Sequence, residues 1–130
     1  MDKQKKVYEY WLMAKRKKWE SKGEHKIRNY LIEQNLKYNL QKKFDDCKNV
    51  RPLPFDFYIP KYKTLIEFNG IQHYEAISHF GGEEQLKIQK KNDAIKKKFA
   101  KENGFDFIEI SYEKENDIVK ILDAYFKKKS

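Results

Sequence analysis

The apolar positions of this 130-residue chain change period several times, and each change marks an element. After Ser21-Lys22-Gly23-Glu24, the residues Ile27, Tyr30 and Leu31 fall at helical spacing. That tetrapeptide has the capping-box form, in which a Ser hydroxyl and a Glu three residues on each satisfy a free backbone amide. The predicted helix ends near Gln34-Asn35. Residues 38–44 predict a strand, and Pro52 and Pro54 make residues 45–54 an irregular connection. Phe55–Ile59 and Thr64–Asn69 are two β-type runs separated by Pro60-Lys61-Tyr62-Lys63. A helix is predicted over 83–103, opened by Gly81-Gly82 and stopped at Asn103-Gly104. A strand over 105–110 and a helix over 115–127 complete the chain. Upstream, Tyr8, Trp11, Leu12, Lys15 and Trp19 predict a basic, aromatic helix within residues 1–20, either docked on the core or contacting phosphates. Residues 21–130 are read as one compact unit.

The two β-type runs carry the chemistry. If the 60–63 connection is a tight hairpin, paired residues sum to 123, and Asp56 stands directly across from Glu67. Alternation then puts Tyr58 and Leu65 beside them and sends Phe55, Phe57, Ile59, Thr64, Ile66 and Phe68 to the opposite, apolar face. A slip of one residue separates the two carboxylates. Opposed carboxylates repel, and a divalent cation between them removes the conflict. The competing reading is an exposed acidic pair balanced by lysines.

Charge widens this picture. Lys and Arg number 29 against 20 Asp and Glu, a net charge of +9. That excess fits a polyanion such as nucleic acid, or simply a well-solvated Lys-rich surface. Eighteen Tyr and Phe residues, nine of each, speak against disorder. Cys47 is the sole cysteine, which excludes an intrachain disulfide and a zinc site of paired cysteines. No apolar run approaches a membrane span, and no signal-peptide pattern opens the chain. A cytoplasmic protein with no membrane partner is expected.

Neighbouring residues extend the candidate site. Asn69 lies on the Glu67 side of its strand; Gln72 is suited to orienting water or phosphate. His73, just past Gly70, has the near-neutral pKa of a proton-transfer group. Glu24 is explained either by the capping box or as a third acidic arm of a metal site. Asp93 is either an ordinary helix-surface partner of Lys97 at i+4 or a neighbour of His73. Lys91, Lys96, Lys97 and Arg51 are candidates for contacting a DNA backbone. His25 reads as a surface residue.

Four segments occur in order: Gly23-Glu24 at a helix start, Pro54-Phe55-Asp56-Phe57-Tyr58-Ile59-Pro60, Ile66-Glu67-Phe68-Asn69-Gly70-Ile71-Gln72-His73-Tyr74, and Asn92-Asp93-Ala94-Ile95-Lys96. Over residues 21–112 the chain resembles phage homing-type endonucleases of the restriction-endonuclease-like PD-(D/E)XK superfamily, in the EDxHD branch related to the very-short-patch repair endonuclease. The resemblance implies an α/β fold, a mixed β-sheet flanked by helices, here with an added N-terminal helix. It implies Mg²⁺- or Mn²⁺-dependent hydrolysis of DNA phosphodiesters. It places Glu24, Asp56, His73 and Asp93 on the signature, Glu67 on the acidic strand, and Asp56, Glu67 and Glu24 around the metal. Two departures stand out. Relatives commonly carry Asp where this chain has Asn69, and the Lys of the wider superfamily's Glu-x-Lys unit is missing from this strand. Many relatives also carry separate DNA-recognition segments, so a homodimer or a separate recognition domain or protein is expected. The alternative is a catalytically weakened or inactive DNA-binding module of the same fold.

Overall fold

A computed structural model of the chain describes residues 20–75 and 82–129. The helix expected in residues 1–20 therefore lies outside the described residues, apart from Glu20. The elements are α1 (Lys22–Glu33), β1 (Asn39–Lys42), β2 (Phe55–Ile59), β3 (Thr64–Asn69), α2 (Gly82–Glu102), β4 (Asp106–Ser111) and α3 (Ile118–Lys127). Short 3-10 segments at Pro60–Tyr62, Ile71–His73 and Tyr112–Asp117 join them. The chain is an α/β protein. Contacts divide it into two units, one from Met1–Lys37 with Glu113–Ser130 and one from Tyr38–Tyr112.

In the first unit, Ser21 caps α1 through the full capping box. The helix ends as the sequence predicts: Asn35 takes a left-handed φ of 56° and the Leu36 amide donates to the Leu31 carbonyl. Ile27, Tyr30 and Leu31 of α1 and Ile118, Leu122 and Phe126 of α3 form the buried stripes. The Tyr30 ring stacks on Phe126, and its hydroxyl donates to Asp123 at 2.8 Å.

The second unit is a four-stranded mixed sheet in the order β1-β2-β3-β4. The first three strands run antiparallel in sequence, and β4 lies parallel to β3. A parallel neighbour needs a crossover, which α2 supplies. Phe57 pairs with Ile66, Tyr58 with Leu65 and Ile59 with Thr64, so every pair sums to 123 as predicted. The turn that sets this register is a 3-10 turn closed by Lys63 at φ 50°. Strand β1 covers Asn39–Lys42 of the 38–44 run, and within it Gln41 takes φ 50° and drops out of the pairing with β2.

The faces depart from the prediction in one respect. Phe57, Ile59, Thr64 and Ile66 are fully buried, as expected of the apolar side. The other side is apolar as well over much of its length. There Leu65 joins Cys47, Phe55, Phe99 and Ala100 in a core beneath α2, with Tyr58, Phe105 and Phe107 packed against it. Phe55 belongs to this cluster, not to the Phe57 face, and its ring meets Phe44 and Phe107. The pairing of β2 with β3 ends at Phe57, so strict alternation no longer governs Phe55. Helix α2 closes with Gly104 at φ 72° and the Phe105 amide on the Ala100 carbonyl. Among the described residues no helix is long and apolar enough to cross a membrane.

Candidate functional site

One step beyond the Phe57–Ile66 pair, where the β2–β3 pairing ends, Asp56 lies close enough for its charge to act on the Glu67 carboxyl. At that step a side chain replaces the backbone ladder: the Phe68 amide donates to Asp56 Oδ2 at 2.9 Å. Gln41 Nε2, from the interrupted point of β1, reaches Asp56 Oδ1 at 3.5 Å. Asp56 is thus anchored at the rim of the sheet, while Glu67 lies deeper, 4% exposed.

Helix α2 completes the arrangement with one stripe. Gln89, Asp93, Lys96 and Ala100 recur at i, i+4, i+7 and i+11, the spacing of a single helix face. Lys96 Nζ donates to Glu67 Oε1 at 2.5 Å and stands 5.2 Å from the centre of the Phe55 ring. Asp93 Oδ2 lies 3.2 Å from His73 Nδ1, and Gln89 Nε2 lies 2.9 Å from His73 Nε2. His73 is placed for this by the 3-10 turn after Gly70, whose carbonyl accepts from the His73 amide. Gln72 is in the same turn.

These groups share one electrostatic environment. The Glu67 carboxyl is pushed up to about 8, by burial first and by Asp56 second, with Lys96 pulling the other way and Asp93 adding to the rise. Burial also pushes the Cys47 thiol up, against the lowering influence of Lys96. A buried carboxylate between an acid and a lysine is a group whose charge state is held by its neighbours.

The sequence expectations meet this geometry unevenly. Asp93 pairs with His73, and its expected i+4 partner Lys97 instead faces Glu109 at 3.4 Å. Lys96 is a correction: expected among surface lysines meeting DNA, it is 8% exposed and points inward onto Glu67. The helical stripe through Asp93 and Ala100 includes it, and that spacing is the signal that identifies it. Lys91, Lys97 and Arg51 are exposed. Glu24 belongs to the first unit, where its Oε1 accepts from the Ser21 amide at 3.3 Å. His25, expected on the surface, is instead bound to Glu20 at 3.1 Å and Asn29 at 3.2 Å, and Arg28 clamps Glu20 at 2.6 and 3.1 Å. A cleft of about 480 Å³ lined by Lys43, Asp45, Asp46, Lys63, Phe99 and Asn103 contains none of the predicted site residues.

Fit to a divalent cation rests on three oxygen donors. Among the described residues, no group of three or more His, Cys, Asp and Glu is gathered to hold a metal. Asp56 and Glu67 supply two carboxylates, and hard cations also take amide carbonyls. Asn69, on the Glu67 side of β3 by alternation, is 5% exposed, and its Oδ1 has no hydrogen-bond partner among the described residues. A buried carbonyl oxygen left unpaired is costly unless something meets it. The donor set suits a small oxygen-seeking ion that keeps part of its water shell.

The chain is similar to two viral proteins. Uncharacterized protein 094L of Frog virus 3 (isolate Goorha) is 36% identical over 80 residues, 60% of this chain and 48% of that protein. Uncharacterized protein 307L of Invertebrate iridescent virus 6 is 38% identical over 61 residues, 46% of this chain and 31% of that protein. The chain thus spans less than half the length of either relative. No family model and no solved structure matches it.

Proposed function

We propose that this chain is a metal-dependent DNA endonuclease domain of the restriction-endonuclease-like kind, of the homing, mobile-element or phage class. The observation that supports this reading is that Asp56 and Glu67 interact at the end of the β2–β3 pairing, with Lys96 on Glu67 and Asp93 on His73 from one helix face. Asp56 and Glu67 would hold Mg²⁺ or Mn²⁺, with the Asn69 carbonyl as a neutral third donor. Such an ion polarises a phosphodiester and supplies a nucleophilic hydroxide at neutral pH.

The chain's own residues do the rest. Asp93 orients the His73 imidazole through Nδ1, so that Nε2, released by Gln89, is the atom that exchanges a proton with water or the leaving oxygen. The Phe68 amide fixes the Asp56 carboxylate and leaves its position independent of the substrate. Lys91, Lys97 and Arg51, exposed in a chain of net charge +9, would meet backbone phosphates. Glu24, in the first unit, enters the proposal on the resemblance alone, in addition to its cap. One such centre cuts one strand, so a double-strand break needs a homodimer or two successive nicks.

The test is nicking of supercoiled plasmid in Mg²⁺ by the wild type and by Asp56→Ala, with an RNA substrate in parallel. Wild-type nicking, lost in the variant, is expected. Equal cleavage by both sinks the site, and cleavage of RNA alone reassigns the substrate. A second reading, a DNA-binding module with weakened chemistry, is favoured by Asn69 in place of a carboxylate and by the Lys96 charge on Glu67. It predicts salt-sensitive DNA binding without cleavage.

A further inference from the structure

We infer that Lys96 is the resident cation of this site, and that a divalent ion binds Glu67 only by displacing the Lys96 ammonium. The inference rests on the proposed metal site and goes beyond it, to what controls occupancy. Three observations carry it. Lys96 Nζ is already on Glu67 Oε1, one of the oxygens a metal would take. Lys96 is buried, with 8% of its surface exposed, so removing its partner without replacement leaves a buried charge unpaired. The third potential donor, Asn69, is neutral and its buried Oδ1 is unpaired among the described residues, so no second carboxylate on β3 offsets the lysine.

The charge count follows directly. With both carboxyls ionised, as a metal ligand requires, Asp56 and Glu67 contribute two negative charges and Lys96 returns one positive, which leaves a site of net −1. A divalent ion and the ammonium cannot both sit on Glu67 without like-charge repulsion in a poorly screened interior. The lysine need not leave the region when it yields. Its ammonium also lies over the Phe55 ring, 5.2 Å from the centroid, which favours a cation there independently of Glu67. Displaced from the carboxylate, it becomes an unpaired donor beside the metal, where the anionic phosphate of a bound substrate would be its natural partner. Metal and substrate binding then reinforce one another, because each stabilises the arrangement in which Lys96 has left Glu67.

The experiment measures Mn²⁺ affinity by calorimetry, without substrate, for the wild type, Lys96→Met, Lys96→Arg and Asn69→Asp. If Lys96 competes, Lys96→Met binds Mn²⁺ at least roughly tenfold more tightly than wild type. Lys96→Arg stays near wild type, and Asn69→Asp also gains affinity. A folded Lys96→Met with unchanged or weaker affinity, in a wild type that does bind Mn²⁺, overturns this inference and leaves the nuclease reading standing. Absence of Mn²⁺ binding in every protein overturns both. In case Lys96→Met fails to fold, the wild type decides: its Lys96 side-chain ammonium resonance should shift as Mg²⁺ saturates the site. A resonance that stays put while Mg²⁺ binds is equally fatal to the inference.

Discussion

Lys96 reaches Glu67 from 29 positions along the chain, with Nζ 2.5 Å from Oε1 and both side chains nearly sealed from solvent. Burial and the neighbouring Asp56 nevertheless dominate, and they raise the Glu67 carboxyl from its ordinary 4.5 to about 8. A folded-state pKa above the unfolded value means that the folded chain holds a proton which the unfolded chain releases. The stability that Glu67 contributes is therefore fully present below about pH 4.5 and is lost as the pH rises through about 8. Thermal unfolding in EDTA, recorded from pH 5 to pH 9, should show the wild type losing ground to Glu67→Gln across that window. Parallel curves for the two proteins would mean that the carboxyl titrates normally.

His73 is held at both nitrogens, by Asp93 on one side and Gln89 on the other. If it moves the proton in the proposed reaction, His73→Ala should lower kcat by about 10²-fold or more, with KM for plasmid changed far less. Asp93→Asn keeps the shape and removes the charge, so it should cost less than His73→Ala. An His73→Ala enzyme of wild-type kcat removes the imidazole from the mechanism.

How far this site was legible in the sequence depended on whether local rules applied. The hairpin register was legible, because the alternation of Phe57, Ile59, Thr64 and Ile66 admits one pairing that buries them together. Both caps of α1 and the Gly104 stop were legible too, since capping chemistry is confined to a few consecutive residues. Phe55 was not, because its side depends on where the β2–β3 ladder ends, a tertiary matter. Lys96 is hidden by company: seven of the ten residues at 89–98 are Lys, Asn or Gln of no evident direction, and only the stripe through Asp93 and Ala100 singles one out. The His25–Glu20 contact is not legible in the sequence, because Glu20 precedes the helix cap and belongs to no periodic pattern.

Glu24 has an observed role and a proposed one, and the two respond differently to substitution. Glutamine can still accept from the Ser21 amide, so Glu24→Gln should keep the capping box and the wild-type melting temperature. Glu24→Ala loses that bond, at a cost of about 0.5–1 kcal/mol on the scale of a single cap interaction. If the carboxylate charge also serves the reaction, Glu24→Gln loses nicking activity at unchanged stability. Full activity in Glu24→Gln confines the residue to its cap.

Gly104 ends α2 at φ 72°, and a Cβ built there meets only the mobile end of Lys63, at 3.7 Å. Space is therefore not the constraint; the left-handed backbone is. Gly104→Ala should destabilise the protein by about 1–2 kcal/mol, with Gly104→Asn milder because Asn tolerates that conformation. Chemical denaturation settles the order, and an alanine variant as stable as wild type would show that the Ala100–Phe105 closure does not need glycine.

Lys97 and Lys96 are adjacent in sequence and opposite in surroundings, and DNA binding should separate them. Lys97 is well exposed and only loosely held by Glu109 at 3.4 Å, so its ammonium is open to a phosphate. Each phosphate contact releases counterions, and its loss lowers the slope of log affinity against log salt by about 1. Lys97→Ala and Arg51→Ala should each flatten that slope in a Mg²⁺-free titration on duplex DNA, whatever the sequence of the duplex. Lys96→Met should leave it unchanged without metal, because in that state the ammonium is committed to Glu67. A slope that falls for Lys96→Met and not for Lys97→Ala would reverse the assignment, making the inward lysine the one that meets DNA.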